Sequence, residues 1–77
     1  MSVQKPSVPG YHIRFLRQLK GFKQMEAARK LGISQQAYSK IERCKGLTEK
    51  KITQIIAAFN STFEELDKAK TIFSHIN

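Results

Sequence analysis

Apolar residues recur at helical spacing along most of the chain, and the interruptions fall on residue types that end or begin helices. Ile13, Leu16 and Leu19 repeat every three positions, flanked by Tyr11 and Phe15, and predict a first helix over residues 11–20 that stops at Gly21. Residues 24–31 read as a short second helix with a small pair, Ala27 and Ala28, and Gly32 directly after it. Ser34 is a good N-cap for a third helix running to about Glu42 or Arg43, with Tyr38 and Ile41 turned inward. After a break at Lys45 and Gly46, Thr48 caps a fourth helix whose Ile52, Ile55, Ile56 and Phe59 follow the i, i+3, i+4, i+7 rule. Asn60 suits the left-handed residue that closes it. Thr62 and Glu65 then spell a capping box for a fifth helix, with Leu66, Ala69, Phe73 and Ile76 on one stripe and Ile72 beside it. No stretch alternates β-branched and polar residues, and no Asn-Gly or Asp-Gly pair marks a hairpin. The expectation is an all-α domain of five short helices.

Composition narrows the picture. Residues 1–10 hold both prolines and little apolar periodicity, and read as a mobile basic arm before an ordered domain of residues 11–66. Residues 67–77 extend the fifth helix. At 77 residues there is room for one core and no second domain. The 14 Lys and Arg against 6 Asp and Glu leave a net charge of +8, which points to a polyanionic partner. Cys44 is the single cysteine, so an internal disulfide and a cysteine-based zinc site are excluded, and a reducing compartment is compatible. No stretch approaches the ~18 apolar residues of a membrane span, and the N-terminus lacks the apolar core of a signal peptide. His12 and His75 have no carboxylate or thiolate spaced for a metal. No paired carboxylates, nucleophile–base set or glycine-rich phosphate loop is present, so neither catalysis nor a cofactor is expected.

The link Leu31-Gly32-Ile33-Ser34 is very tight, and two helices joined this way form a helix-turn-helix. Ala28 must be small where the third helix presses on the second, and Gly32 allows the positive φ of the turn. Ile33, Tyr38 and Ile41 are expected to face the core. With these residues in register, residues 13–66 resemble the phage repressor/Cro-type helix-turn-helix family, also described as xenobiotic-response-element-like. The matching text is IRFLRQLKG, QMEAARKLGISQQAYSKIE and ITQIIAAFNSTFEEL.

The resemblance implies a lambda-repressor-like fold and a homodimer that binds double-stranded operator DNA with its third helix in the major groove. It assigns base-edge positions to Gln35, Gln36, Ser39 and Lys40. Apart from the family, Gln can pair bidentately with adenine and Lys can reach guanine in the major groove. Residues four apart share a helix face, so Gln35 with Ser39 and Gln36 with Lys40 make one polar surface opposite Tyr38 and Ile41. Gln24 matches the family's phosphate-clasping glutamine at the start of the second helix. Arg43, Lys45 and Lys50 would flank the groove and meet phosphates. Arg17 and Glu42 match a partly buried ion pair that sets the angle of the third helix. Clustering of basic residues over 14–23 and 40–51 favours a DNA-facing surface. The chain departs from the family at Lys23, where relatives carry a Ser or Thr cap, which makes Lys23 a candidate phosphate contact. It departs again at Arg43-Cys44, where relatives carry Asn-Gly.

Function then reads as a dimeric repressor of a near-palindromic operator, cytoplasmic and nucleoid-associated in a bacterium or phage. Ile72, Phe73 and Ile76 either cover the core or form the candidate dimer contact. An antitoxin that binds both a toxin and its own operator is a second reading. A protein-interaction module that keeps the fold is a third, disfavoured by the polar Gln-Gln-Ser-Lys face.

Overall fold

Three of the five helices close on the same left-handed turn, and that repetition sets most of the architecture. The computed structural model describes residues 8–76, arranged as α1 (Gly10–Lys20), α2 (Gln24–Leu31), α3 (Gln35–Arg43), α4 (Glu49–Ala58) and α5 (Phe63–Ile76). Gly21 at φ 83° and Gly32 at φ 71° end α1 and α2, and Asn60 at φ 54° ends α4. At each end the next amide reaches back to the last turn: Phe22 N–H to Arg17, Ile33 N–H to Ala28 and Ser61 N–H to Ile56, all at 2.9–3.1 Å. Helix starts follow local chemistry as well. The hydroxyls of Ser34, Thr48 and Thr62 accept from the amides of Ala37, Lys51 and Glu65 at 3.1, 3.2 and 3.1 Å. The Glu65 carboxylate also accepts from the Ser61 hydroxyl and the Lys20 ammonium.

The core gathers one stripe from each helix. Ile13 and Leu16 of α1, Ala27 and Ala28 of α2, Tyr38 of α3, Ile52, Ile55 and Ile56 of α4, Phe59, and Leu66 and Ala69 of α5 are all buried together with Leu47. α1 packs against both α3 and α5, while α2 packs against α3 and α4. The alanine pair lets α2 lie close to its neighbours, which larger side chains would hold away. The sequence expectation of an all-α, five-helix domain holds, and its helix limits agree with the observed ones to within about one residue.

Four expectations need correction. Leu19 lies half exposed, at 53%, on the outer side of the α1 stripe. Ile33 does not face the core: it is 36% exposed, because its amide is used to close α2 and its side chain falls on the outer side of the turn. On α5, Ile72 and Ile76 project outward at 42% and 67% exposure, and only Phe73 continues the inward stripe. Finally, the arm does not extend to residue 10. Val8 forms an antiparallel bridge with Leu47, and Gly10 is buried as the first residue of α1. Residues 1–7 lie outside the described residues.

Phe73 holds the end of α5 to α1 through a cluster of rings. Its centroid lies 5.0 Å from Tyr11, 5.4 Å from His12 and 5.7 Å from Phe15. Burial, and then the nearby Lys70 ammonium, lower the His12 pKa below its ordinary 6.5. The unfolded chain therefore takes up this proton first. Stability supplied by neutral His12 is complete above about pH 6.5 and is lost as the pH falls through that value towards the folded one. We expect the thermal midpoint to drop between pH 7.5 and 5.5, and His12→Gln to flatten that drop. An unchanged drop in the variant would assign it to other groups.

Candidate nucleic-acid interface

The third helix presents a sharply divided surface. Tyr38 is fully buried and Glu42 nearly so, while Gln35, Gln36, Lys40 and Arg43 on the other sides are exposed and Ser39 is half-buried between them. Nine residues at 1.5 Å rise per residue span roughly 13 Å, and an α-helix about 10–12 Å across with its side chains fits a major groove about 12 Å wide. The Ser34 cap supplies about 1 kcal/mol to the start of this helix and leaves Gln35 and Gln36 at its first exposed turn.

The helix is held from beneath by a buried polar knot. Arg17 Nε of α1 donates to Glu42 Oε2 at 2.6 Å, and a second guanidinium nitrogen reaches Glu42 Oε1 at 3.5 Å. The third, Nη1, donates to the Phe22 carbonyl at 2.7 Å, just past the end of α1. Gln24 Nε2 of α2 donates to the same Glu42 Oε1 at 2.9 Å. One carboxylate thus binds three helices together. The buried Tyr38 hydroxyl lies against this pair. Burial, and then the Glu42 carboxylate, push its ionisation well above the ordinary tyrosine value. Burial alone would raise the Glu42 pKa, but the Arg17 guanidinium, with Tyr38 and the Gln24 amide behind it, outweighs burial and holds the carboxyl below its usual range. Burial would likewise lower the Arg17 pKa, and Glu42 reverses this.

The knot redistributes the roles read from the sequence. The Arg17–Glu42 pair is present. Gln24 is half-buried with one N–H of its amide turned to Glu42, which leaves the second N–H for another acceptor. Lys23 occupies the N-cap of α2 and cannot accept a hydrogen bond. The helix start is instead secured from the other side, with the Lys23 amide donating to Glu26 Oε1 at 2.9 Å. The ammonium of Lys23 is left exposed. Lys45 and Lys50 are exposed, in the α3–α4 loop and the first turn of α4.

The first basic cluster divides in two. Arg17 is consumed in the knot, and Lys20 donates to the Asn60 carbonyl and to Glu65, both at 3.3 Å, near the start of α5. Arg14 and Lys23 remain exposed from that run. Sequence reasoning passed over Lys30, whose ammonium sits 4.6 Å from the centre of the Phe22 ring and shields it. It also passed over Gly10, whose signal was hidden by its place in a proline-rich stretch. The Gly10 amide donates to the Cys44 carbonyl at 2.7 Å, just past the end of α3. A β-carbon at Gly10 would fall on the Ile41 carbonyl oxygen and within 2.7 Å of the Glu42 carbonyl.

A short second helix, a left-handed glycine and a third helix with an exposed polar face define a helix-turn-helix protein. The helix-turn-helix family model of the Cro/C1 type matches residues 13–66, well over half of the chain, and the chain belongs to that family. It is a DNA-binding regulator of transcription with a lambda-repressor-like all-α fold. No curated protein and no solved structure gives a significant match to the chain. Among the described residues, no helix is long and apolar enough to cross a membrane.

Removing the charge at Glu42 while keeping its shape tests the knot. Glu42→Gln leaves the Arg17 guanidinium buried without its counter-charge, a change that typically costs about 3–5 kcal/mol. That is most of the roughly 4–12 kcal/mol available to a domain of this length. Chemical denaturation should show the variant largely unfolded at 37 °C, with the paired Arg17→Met/Glu42→Leu variant markedly more stable. Equal losses in both would mean that the ion pair is not what the site depends on.

Proposed function

We propose that this chain is a dimeric repressor that occupies a near-palindromic operator, with Gln35, Gln36, Ser39 and Lys40 of α3 meeting base edges in the major groove. The observation that carries the reading is the face of α3, where two glutamines and a lysine stand exposed on a helix anchored from behind by Tyr38 and Glu42. Two adjacent amides suit bidentate pairing with adenine, and Lys40 suits guanine. Lys23, Gln24, Arg43, Lys45 and Lys50 would meet phosphates and supply most of the affinity. Gln24 Nε2 spends one N–H on Glu42 and keeps a second that can donate to a phosphate, as the α2 amides beside it can. Ile72 and Ile76, exposed on the end of α5, are the candidate contact with a second copy, and Phe73 contributes only what α1 leaves uncovered. Repression would follow from occupation of a promoter by this domain.

Selection of bound duplexes from a randomised library at near-physiological salt tests this directly. An enriched inverted repeat, with half-sites about one helical turn apart, is the expected result. Enrichment of nothing, with binding that vanishes as salt rises, would mean that the chain reads phosphates alone. On the selected site we expect Gln36→Ala to cost roughly 1–3 kcal/mol and to relax preference at one base pair of each half-site. A variant that retains both affinity and preference would remove Gln36 from the readout.

A further inference from the structure

The end of α3 is built differently from the ends of α1, α2 and α4. Those three close on a left-handed residue, whereas Cys44 after α3 is extended, at φ −69° and ψ 138°. The chain leaves the recognition helix without the turn that would fix its exit, and something else must hold it. Two contacts meet there. The start of α1 abuts the end of α3, with the Gly10 amide donating to the Cys44 carbonyl at 2.7 Å. Two residues earlier, Val8 pairs with Leu47, whose amide donates to the Val8 carbonyl at 2.8 Å. The loop between Cys44 and Leu47, which carries Lys45, is therefore gripped at both ends by residues 8–10.

Each element of this grip has a physical reason. The positive end of one helix dipole meets the negative end of another where α1 begins and α3 stops. Gly10 is required for close approach rather than for its φ, because any β-carbon would collide with the backbone of α3. Val8 is half-buried against the core and forms one wall of a groove of about 300 Å³, with Ile52 of α4 and Phe63 and Leu66 of α5. Glu49, Asp67 and Lys70 line that groove as well, and an aspartate in place of Val8 would give up its apolar contacts there.

We propose that residues 8–10 are a strap that fixes the α3–α4 loop, with Val8 and Gly10 acting as positioning residues for the Lys45 ammonium against a DNA phosphate. This rests on the reading of Lys45 as a phosphate contact. Without the strap the helix-turn-helix still folds, but the loop no longer presents Lys45 at a fixed place. One counterion fewer is then released on binding.

The test measures binding to a mixed-sequence duplex against salt concentration for the full chain and for Val8→Asp, Lys45→Gln and the double variant. Loss of one phosphate contact lowers the slope of log K against log salt by about one, and weakens binding about fivefold near 0.15 M salt. Val8→Asp and Lys45→Gln should each show that loss, and the double variant no more than either. A simple loss of folded protein would reduce the bound fraction without altering the slope. If Lys45→Gln lowers the slope and Val8→Asp does not, the strap is wrong and the phosphate reading stands. If Lys45→Gln leaves the slope unchanged, the phosphate reading itself fails and the strap with it. Should Val8→Asp fail to fold, as its melting curve would show, Val8→Ala carries the same test: a smaller slope loss supports the strap, and an unchanged slope overturns it.

Discussion

A single buried carboxylate governs how this small domain holds its third helix. Glu42 is the penultimate residue of α3, and its two oxygens accept from Arg17 of α1 and Gln24 of α2. Burying a charge in a chain of this size is tolerable only if each lone pair finds a donor, and this requirement fixes the relative placement of three helices. Hydrophobic burial by Tyr38, Phe59 and the isoleucines of α4 supplies the driving force for collapse, but it is indifferent to small rotations of α3. The directional bonds to Glu42 remove that freedom. Desolvation offsets much of what the pair gains, so its contribution lies in orientation more than in net stability.

Much of the fold could be read from the sequence because the signals that set it are local. Ser34, Thr48 and Thr62 bond amides three residues on, and Gly21, Gly32 and Asn60 adopt the left-handed turns for which their side chains suit them. Periodicity was less reliable at the edges of each stripe. Leu19, Ile33, Ile72 and Ile76 are apolar residues at plausible spacing that nonetheless face outward, since a stripe records polarity and not which neighbour is available to cover it. Contacts between residues far apart in the chain left no local trace. Nothing near Gly10 announces that Ile41 will press on it, and Val8 carries no mark of its pairing with Leu47. The candidate site divides along the same line. The exposed face of α3 follows from helical geometry alone, whereas the attachment of Gln24 to Glu42, and the loss of Arg17 and Lys20 from the basic surface, depend on tertiary placement.

The acidic residues are sorted as well as scarce. Glu26 is bound to the start of α2 and Glu42 to Arg17, while Glu49, Glu64, Glu65 and Asp67 lie at the start of α4 and along the first half of α5. α5 packs on α1, as α3 does, and Lys20 of α1 is drawn into Glu65 there. The charge of +8 is therefore displaced towards the helix-turn-helix, and the molecule carries an electric moment in addition to its net charge. In the field of a polyanion such a body experiences a torque as well as an attraction. It is turned to lead with its more basic side while still about a Debye length away, roughly 8 Å at physiological salt. Fewer encounters then begin with the wrong face, so the Lys20–Glu65 contact bears on how fast a complex forms.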